Sequence, residues 1–221
     1  MVNLTERLKT VASFVNNGAF VADIGTDHAK LPIYLLQAGI AERVIATDIN
    51  KKPLEKASER INKHNAKVEL RLCGGISGIS AGEIDTVIIA GMGGETIAEI
   101  LYNDIEKLEN INIILQPMTA QRELREFLYN NLFCIKHEKV VAEKEKIYTI
   151  INVCLQDKKD IINPKTHFFT STQMLDNEPA LLKRYIEIQL KRIKNELKGT
   201  PFSSEEFKVL TDSAEYLHGM L

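Results

Sequence analysis

The apolar residues at the start of the chain recur at helical spacing. Leu4, Leu8, Val11, Ala12 and Val15 fall on one face with charged residues between them, which predicts an amphipathic helix rather than the unbroken apolar core of a signal peptide. The period then changes. Short β-type runs alternate with helical stretches: FVADIG (20–25), RVIATDI (43–49), KVELRLC (67–73), IDTVIIAG (84–91) and INIILQP (111–117). This rhythm predicts the strand-helix-strand units of a doubly wound, mostly parallel sheet. Two more β-type runs, FCIKHEKVVAEK (133–144) and IYTIINVCLQ (147–156), follow one another through Glu145 and Lys146 without a helix between them, as an antiparallel pair does. The expected fold class is α/β, with seven strands.

From about residue 157 the pattern turns helical. Leu182, Ile186, Leu190, Ile193 and Leu197 are spaced by three and four, and Gly199 with Pro201 stops that segment. Ser203 with Glu206 predicts a capping box for a second helix, with Phe207, Leu210, Ala214 and Leu217 on one face. Two domains are expected, residues 1–156 and a helical hairpin over 157–221, as suits a chain of 221 residues.

Composition adds exclusions. With 44% hydrophobic and 26% charged residues, neither disorder nor a membrane span is expected, and the protein is placed in the cytoplasm. Cys73, Cys134 and Cys154 are odd in number and lack CxxC spacing, which argues against disulfides and structural zinc; they are expected to be buried thiols, and no metal is expected. A net charge of −2 and a pI near 6.2 confine any nucleic-acid surface to a local patch.

Candidate chemistry lies where strands hand over to helices. The first strand ends in Asp23-Ile24-Gly25-Thr26-Asp27-His28-Ala29, which is not GxGxxG. Asp27 and Ala29 stand where further glycines would admit a pyrophosphate, and a carboxylate there repels one. A cofactor without phosphate is favoured. S-adenosyl-L-methionine is one: its positive sulfonium and amino group suit Asp23 and Asp27, and Gly25 leaves room for close backbone approach. An ordinary turn with a helix-capping aspartate is the plain alternative. Asp48, 23 residues after Gly25, either accepts from the ribose hydroxyls of an adenosine cofactor or caps a helix opening at Pro53. Cys73-Gly74-Gly75 offers adenine bare backbone, or is simply a flexible turn.

The fourth strand runs into Ala90-Gly91-Met92-Gly93-Gly94-Glu95, at the sheet edge where a substrate would meet the sulfonium. No (D/N)PP(Y/F) loop for an exocyclic amine is present. None of the three cysteines follows a proline, as the nucleophile for cytosine C5 commonly does. A ring nitrogen is left as the natural nucleophile. Adenine N1 has an in-plane lone pair free at neutral pH, so desolvation and in-line positioning carry the reaction. Seven strands ending in a hairpin agree with a class I methyltransferase, whereas a dinucleotide dehydrogenase would continue with parallel crossovers.

The strings DIGTDHAKLP (23–32), ATDIN (46–50), IDTVIIAGMGGETI (84–97), IILQP (113–117) and EKEKIYTI (143–150) resemble the bacterial tRNA (adenine(22)-N1)-methyltransferase family across essentially the whole catalytic domain. The resemblance implies a Rossmann-like class I methyltransferase with a C-terminal coiled-coil hairpin, S-adenosyl-L-methionine as cofactor, and N1 of adenine-22 in the D-loop region of tRNA as the methyl acceptor. With the turns above it assigns Asp23, Gly25, Thr26, Asp27, His28, Asp48, Ile49, Gly74, Gly75, Ala90 and Gly91 to the cofactor. It places Asp27, Gly91, Met92, Gly93, Gly94 and Gln116, followed by Pro117, at the catalytic centre. Lys30 stands where the family usually has tyrosine, Gly74 where it has an acidic or amide side chain, and Met118 where asparagine is expected. His28 is expected to orient groups or touch cofactor, because N1 attack needs no prior deprotonation. Asp27 is expected to accept from the adenine amino group as the ring becomes cationic.

Two basic stripes suit RNA phosphates: Lys52, Lys56, Arg60, Lys63 and Lys67, and Lys183, Arg184, Lys191, Arg192, Lys194 and Lys198. Solvated faces with Glu–Lys pairs are the plain alternative. Two other functions stay open on the residues alone. A methyltransferase for a small molecule or protein would keep its activity without the hairpin, and a non-catalytic cofactor- or RNA-binding module would transfer no methyl group to tRNA.

Overall fold

A computed structural model of the chain describes residues 1–156, 168–171, 174 and 177–221. The seven expected strands are β1 (Ala19–Ile24), β2 (Ala41–Asp48), β3 (Val68–Leu72), β4 (Thr86–Gly93), β5 (Asn112–Thr119), β6 (Phe133–Glu143) and β7 (Lys146–Leu155). They form one sheet in the order β3-β2-β1-β4-β5-β7-β6. The first five are parallel, and β7 pairs antiparallel with both β5 and β6. The hairpin turns at Lys144-Glu145, one residue earlier than expected. Glu143 pairs with Lys146, and Lys144 takes the left-handed φ of 57° that tight hairpin turns favour.

The central parallel strands β1, β2, β4 and β5 bury apolar residues on both faces because helices cover both, whereas the edge strand β3 buries none of its residues fully. Val21, Val44, Ile88 and Ile114 pack with α1 (Glu6–Ala12), α2 (Lys30–Gln37) and α3 (Lys51–Lys63). Their neighbours Ala22, Ile45, Val87, Ile89, Ile113 and Leu115 pack with α4 (Gly94–Asn103) and α5 (Gln121–Asn130). From β1 the chain steps outward to β2 and β3, then returns to lay β4 on the other side of β1. That reversal opens a crevice at the carboxyl ends of the strands, where sheets of this kind bind ligands.

Two C-terminal helices, α6 (Pro179–Leu197) and α7 (Glu205–His218), pack against each other and against β6. Leu182, Ile186, Ile193, Leu210 and Leu217 are buried there with Val140, Phe169 and Met174, while Leu190, Leu197 and Ala214 are partly buried. The cap of α7 is Ser204 rather than Ser203. Its Oγ accepts from Phe207 N at 3.1 Å, so Phe207 takes the third helical position and no reciprocal glutamate bond forms. The boundary expected at 156/157 falls at the edge of the described residues, and residue 157 lies outside them.

A buried ion pair ties α6 to the sheet. Arg125 on α5 pairs with Glu138 on β6, and both are almost wholly buried. Arg125 also donates to the Tyr185 hydroxyl at 3.3 Å, and Ser171 Oγ donates to Glu138 at 2.6 Å. The cysteines are half-exposed rather than buried. Cys134 and Cys154 face each other across the strand pair β6–β7 at the sheet edge, and Cys73 sits past the end of β3. Among the described residues no helix is long and apolar enough to cross a membrane, and no group of three or more His, Cys, Asp or Glu side chains is placed to hold a metal.

Candidate active site

The carboxyl ends of β1 to β4 meet in a cavity of about 680 Å³. Gly25 follows β1, Asp48 ends β2 and Ile49 follows it, Cys73, Gly74 and Gly75 follow β3, and Met92 with Gly93 ends β4; all line it. Asp23, Thr26, Asp27, His28, Ala90, Gly91, Gly94 and Gln116 lie outside its lining. Ser77, Glu99 and Ile100 also line it and were not singled out in the sequence, while Thr47 and Thr96 line it from within the strings ATDIN and IDTVIIAGMGGETI.

Backbone conformation explains the glycine of the first turn. Gly25 has φ of 71°, and a Cβ there would overlap the Met92 side chain. The Gly25 and Thr26 N–H groups both donate to the Thr47 carbonyl at 2.8 Å, pinning the turn to β2. Asp48 Oδ1 accepts from Asn50 N at 2.7 Å and its other carboxylate oxygen makes no hydrogen bond among the described residues. Since α3 opens at Lys51 after Asn50, Asp48 is not its cap. Farther on, a Cβ on Gly94 would overlap the Ala120 carbonyl, so the close packing of α4 against the end of β5 requires glycine.

Charge follows burial. Asp23 is 7% exposed, and desolvation raises its carboxyl pKa to about 7, with the nearby Thr26 hydroxyl opposing the shift although it falls short of hydrogen-bond geometry. Asp27 is exposed, and its Oδ1 lies 3.2 Å from His28 Nε2. His28 and Ala29 are consecutive left-handed residues, with φ of 61° and 48°. That conformation costs a residue with a side chain about 1–2 kcal/mol. It directs the chain into α2 and leaves Asp27 and His28 at the rim rather than in the cavity.

Sequence reasoning missed Arg7. Its guanidinium donates to Oε1 of the wholly buried Gln116, whose Nε2 donates in turn to the Pro117 carbonyl at 3.0 Å. Arg7 also sits 5.5 Å from the centre of the Tyr148 ring and 4.0 Å from Glu143. A Cβ on Gly91 would stand 3.9 Å from Arg7 Nη1, so this cluster borders the end of β4. Gln116 is thereby committed inside the protein.

Of the first basic stripe, Lys52, Lys56, Lys63 and Lys67 are exposed, and none of the five cations forms an ion pair among the described residues; Glu55 pairs with Lys51 instead. On α6, Lys183, Lys191 and Lys194 are likewise exposed without ion pairs among the described residues.

Comparison with known proteins adds independent findings. Residues 4–151 match a family model described as a methyltransferase domain. The chain is 33% identical over 217 residues to a tRNA (adenine(22)-N1)-methyltransferase of Bacillus subtilis, covering 97% of this chain and 90% of the relative. The crystal structure of the B. subtilis m1A22 tRNA methyltransferase TrmK superposes with a TM-score of 0.77 at 29% identity, covering 100% of this chain and 99% of the other. The structure of TrmK from M. capricolum, in complex with the cofactor product S-adenosyl-homocysteine, gives 0.81 at 29% identity and 99% of both chains.

Proposed function

This chain belongs to the family of tRNA (adenine(22)-N1)-methyltransferases, and on that premise we propose that it transfers the methyl group of S-adenosyl-L-methionine to N1 of adenine 22 in tRNA, with the residue roles given below. The observation that carries the reading is the cavity at the β1–β4 crossover, which presents a carboxylate and bare backbone where a dinucleotide site needs a phosphate cradle.

The donor set fits the cofactor. Asp48, with one carboxylate oxygen uncommitted, would accept from the ribose hydroxyls. Ile49 and the Gly74-Gly75 backbone would flank the adenine ring, and Gly25, whose missing Cβ makes room for the Met92 side chain, gives the floor bare backbone. The buried Asp23 carboxyl, two residues before Gly25, would ionise in favour of a neighbouring ammonium group. Bound there, S-adenosyl-L-methionine supplies an electrophilic methyl group on a sulfonium sulfur. The acceptor is a neutral ring nitrogen, so no side chain has to remove a proton before attack. The β4 end from Gly91 to Gly94 carries only one side chain larger than hydrogen, Met92, and leaves space for a base to approach in line. Asp27, exposed at the rim, would offset the positive charge that the ring acquires. Arg7 and Gln116 hold the end of β5 in place beside this path.

The region from 157 to 221 is assigned to tRNA contact, on the strength of the exposed lysines of α6. A tRNA substrate supports a cytoplasmic location for the enzyme. Incubation of unmodified tRNA with the protein and S-adenosyl-L-methionine, followed by mass spectrometry of the released nucleosides, is expected to yield N1-methyladenosine. Methylation of an exocyclic amine or a pyrimidine, or none at all, would contradict the reading.

A further inference from the structure

Resting on the function above, we propose that the cavity between α5 and α6 binds an RNA backbone phosphate beside the target adenine. This cavity, of about 310 Å³, is formed where the end of β5 and the start of α5 face α6. Thr119 lines it, and Thr119 Oγ1 lies 3.2 Å from where a Gly93 Cβ would stand, while Gly93 itself lines the cofactor cavity. The two cavities therefore share one wall.

Donors face this space without partners. The ten-residue α5 has Ala120 at its N-cap and no side-chain cap, which leaves the N–H groups of its first turn and the positive end of its dipole available to an anion. Gln189 is only 4% exposed, lines the cavity, and makes no hydrogen bond among the described residues. Its amide is left free to bond whatever enters the cavity. Arg192 lines the same cavity, is exposed, and forms no ion pair among the described residues.

Other charges in the wall are committed. Arg122 pairs with Glu196 at 3.2 Å and with Glu206 at 2.5 Å, and Arg125 pairs with Glu138. Among the described residues of the wall, exposed Glu123 is the one carboxylate left without an ion pair. What remains is an excess of donors: backbone N–H groups, a side-chain amide and a guanidinium. A phosphodiester, which only accepts hydrogen bonds and carries one negative charge, matches that set. Its position one wall away from the methyl-transfer path suits a phosphate adjoining the nucleotide that is exposed for reaction.

The test uses the full chain. Arg192→Gln alters an exposed side chain, and Gln189→Leu keeps the buried volume, so folding is spared in at least the first. Arg192→Gln is expected to weaken tRNA binding about five- to ten-fold and to lower the slope of log K against log salt by about one. Gln189→Leu is expected to reduce kcat/KM for tRNA by a similar factor, with cofactor affinity by calorimetry within about two-fold in both variants. Unchanged tRNA affinity and salt slope in both variants, with normal methylation by the wild type, would overturn the phosphate site and leave the reaction standing. A loss of cofactor affinity matching the loss of tRNA affinity would also overturn it. No methyl transfer by the wild type would overturn both.

Discussion

Asp48 and Asp23 end neighbouring strands and hold opposite electrostatic positions. Asp48 is half-exposed and lines the cavity, so Asp48→Ala is expected to weaken S-adenosyl-L-methionine binding about ten-fold or more without unfolding the protein. Calorimetry checks this, and unchanged affinity would remove Asp48 from the site. Asp23 is buried, and its pKa is raised to about 7. In the unfolded chain its carboxyl titrates near pH 4. The stability contributed by its retained proton is therefore complete below about pH 4 and is lost as pH rises through about 7. Asp23→Asn is expected to flatten the fall in Tm of the cofactor-free protein between pH 5 and 7; an identical slope in both proteins would contradict the assignment. Gly25, Asp48, Ile49, Gly74 and Gly75 were legible in the sequence because each lies within a few residues of a strand end, where topology alone brings the chain to the crevice. Asp27 and His28 are set at the rim by two left-handed residues, and although histidine is enriched in that conformation, Ala29 is not a residue type that announces such a bend.

At the scale of elements, the central strands β1, β2, β4 and β5 were legible because each carries a short apolar run, and burial on both faces needs no exact boundary. Caps are less forgiving. Ser203 and Ser204 are chemically identical candidates, and the chain chose the one whose N–H reaches the Pro201 carbonyl at 3.0 Å. The role of α1 was invisible for a different reason. Arg7 meets Gln116 across 109 residues of sequence, and no local period encodes that contact. Arg7→Ala would leave the buried Gln116 oxygen without its guanidinium donor and remove the partner of Glu143. An unsatisfied buried acceptor costs about 1–3 kcal/mol, which lowers Tm by several degrees in a chain of this size. The variant is expected to lose about ten-fold in kcat with tRNA while cofactor affinity stays within about two-fold, since Arg7 lies outside the cofactor cavity. A large fall in cofactor affinity with normal kcat would show that α1 acts on the cofactor instead.

For the whole molecule, the sheet supplies the cofactor cavity from residues 24 to 104 alone, whereas α6 and α7 share a core with β6. Truncation after residue 156 removes Ser171 and Tyr185, which complete the buried Arg125–Glu138 pair, and it strips the cover from Val140. The shortened protein is expected to melt several degrees lower, to keep cofactor affinity within about three-fold, and to lose most of its tRNA affinity at a fixed salt concentration. Thermal melts, calorimetry and tRNA titration report on these separately, and equal tRNA binding by both proteins would locate recognition on the sheet domain. The central claim is the identity of the methylated atom. N1 lies on the Watson–Crick edge of adenine, so a methyl group there blocks pairing and halts reverse transcription, while an exocyclic methyl group leaves pairing largely intact. Primer extension on tRNA treated with enzyme and cofactor is the most direct measurement. The predicted result is one new stop, one nucleotide before adenine 22, that disappears when adenine 22 is replaced by guanine; methyl incorporation without that stop, or a stop that survives the replacement, would contradict the account.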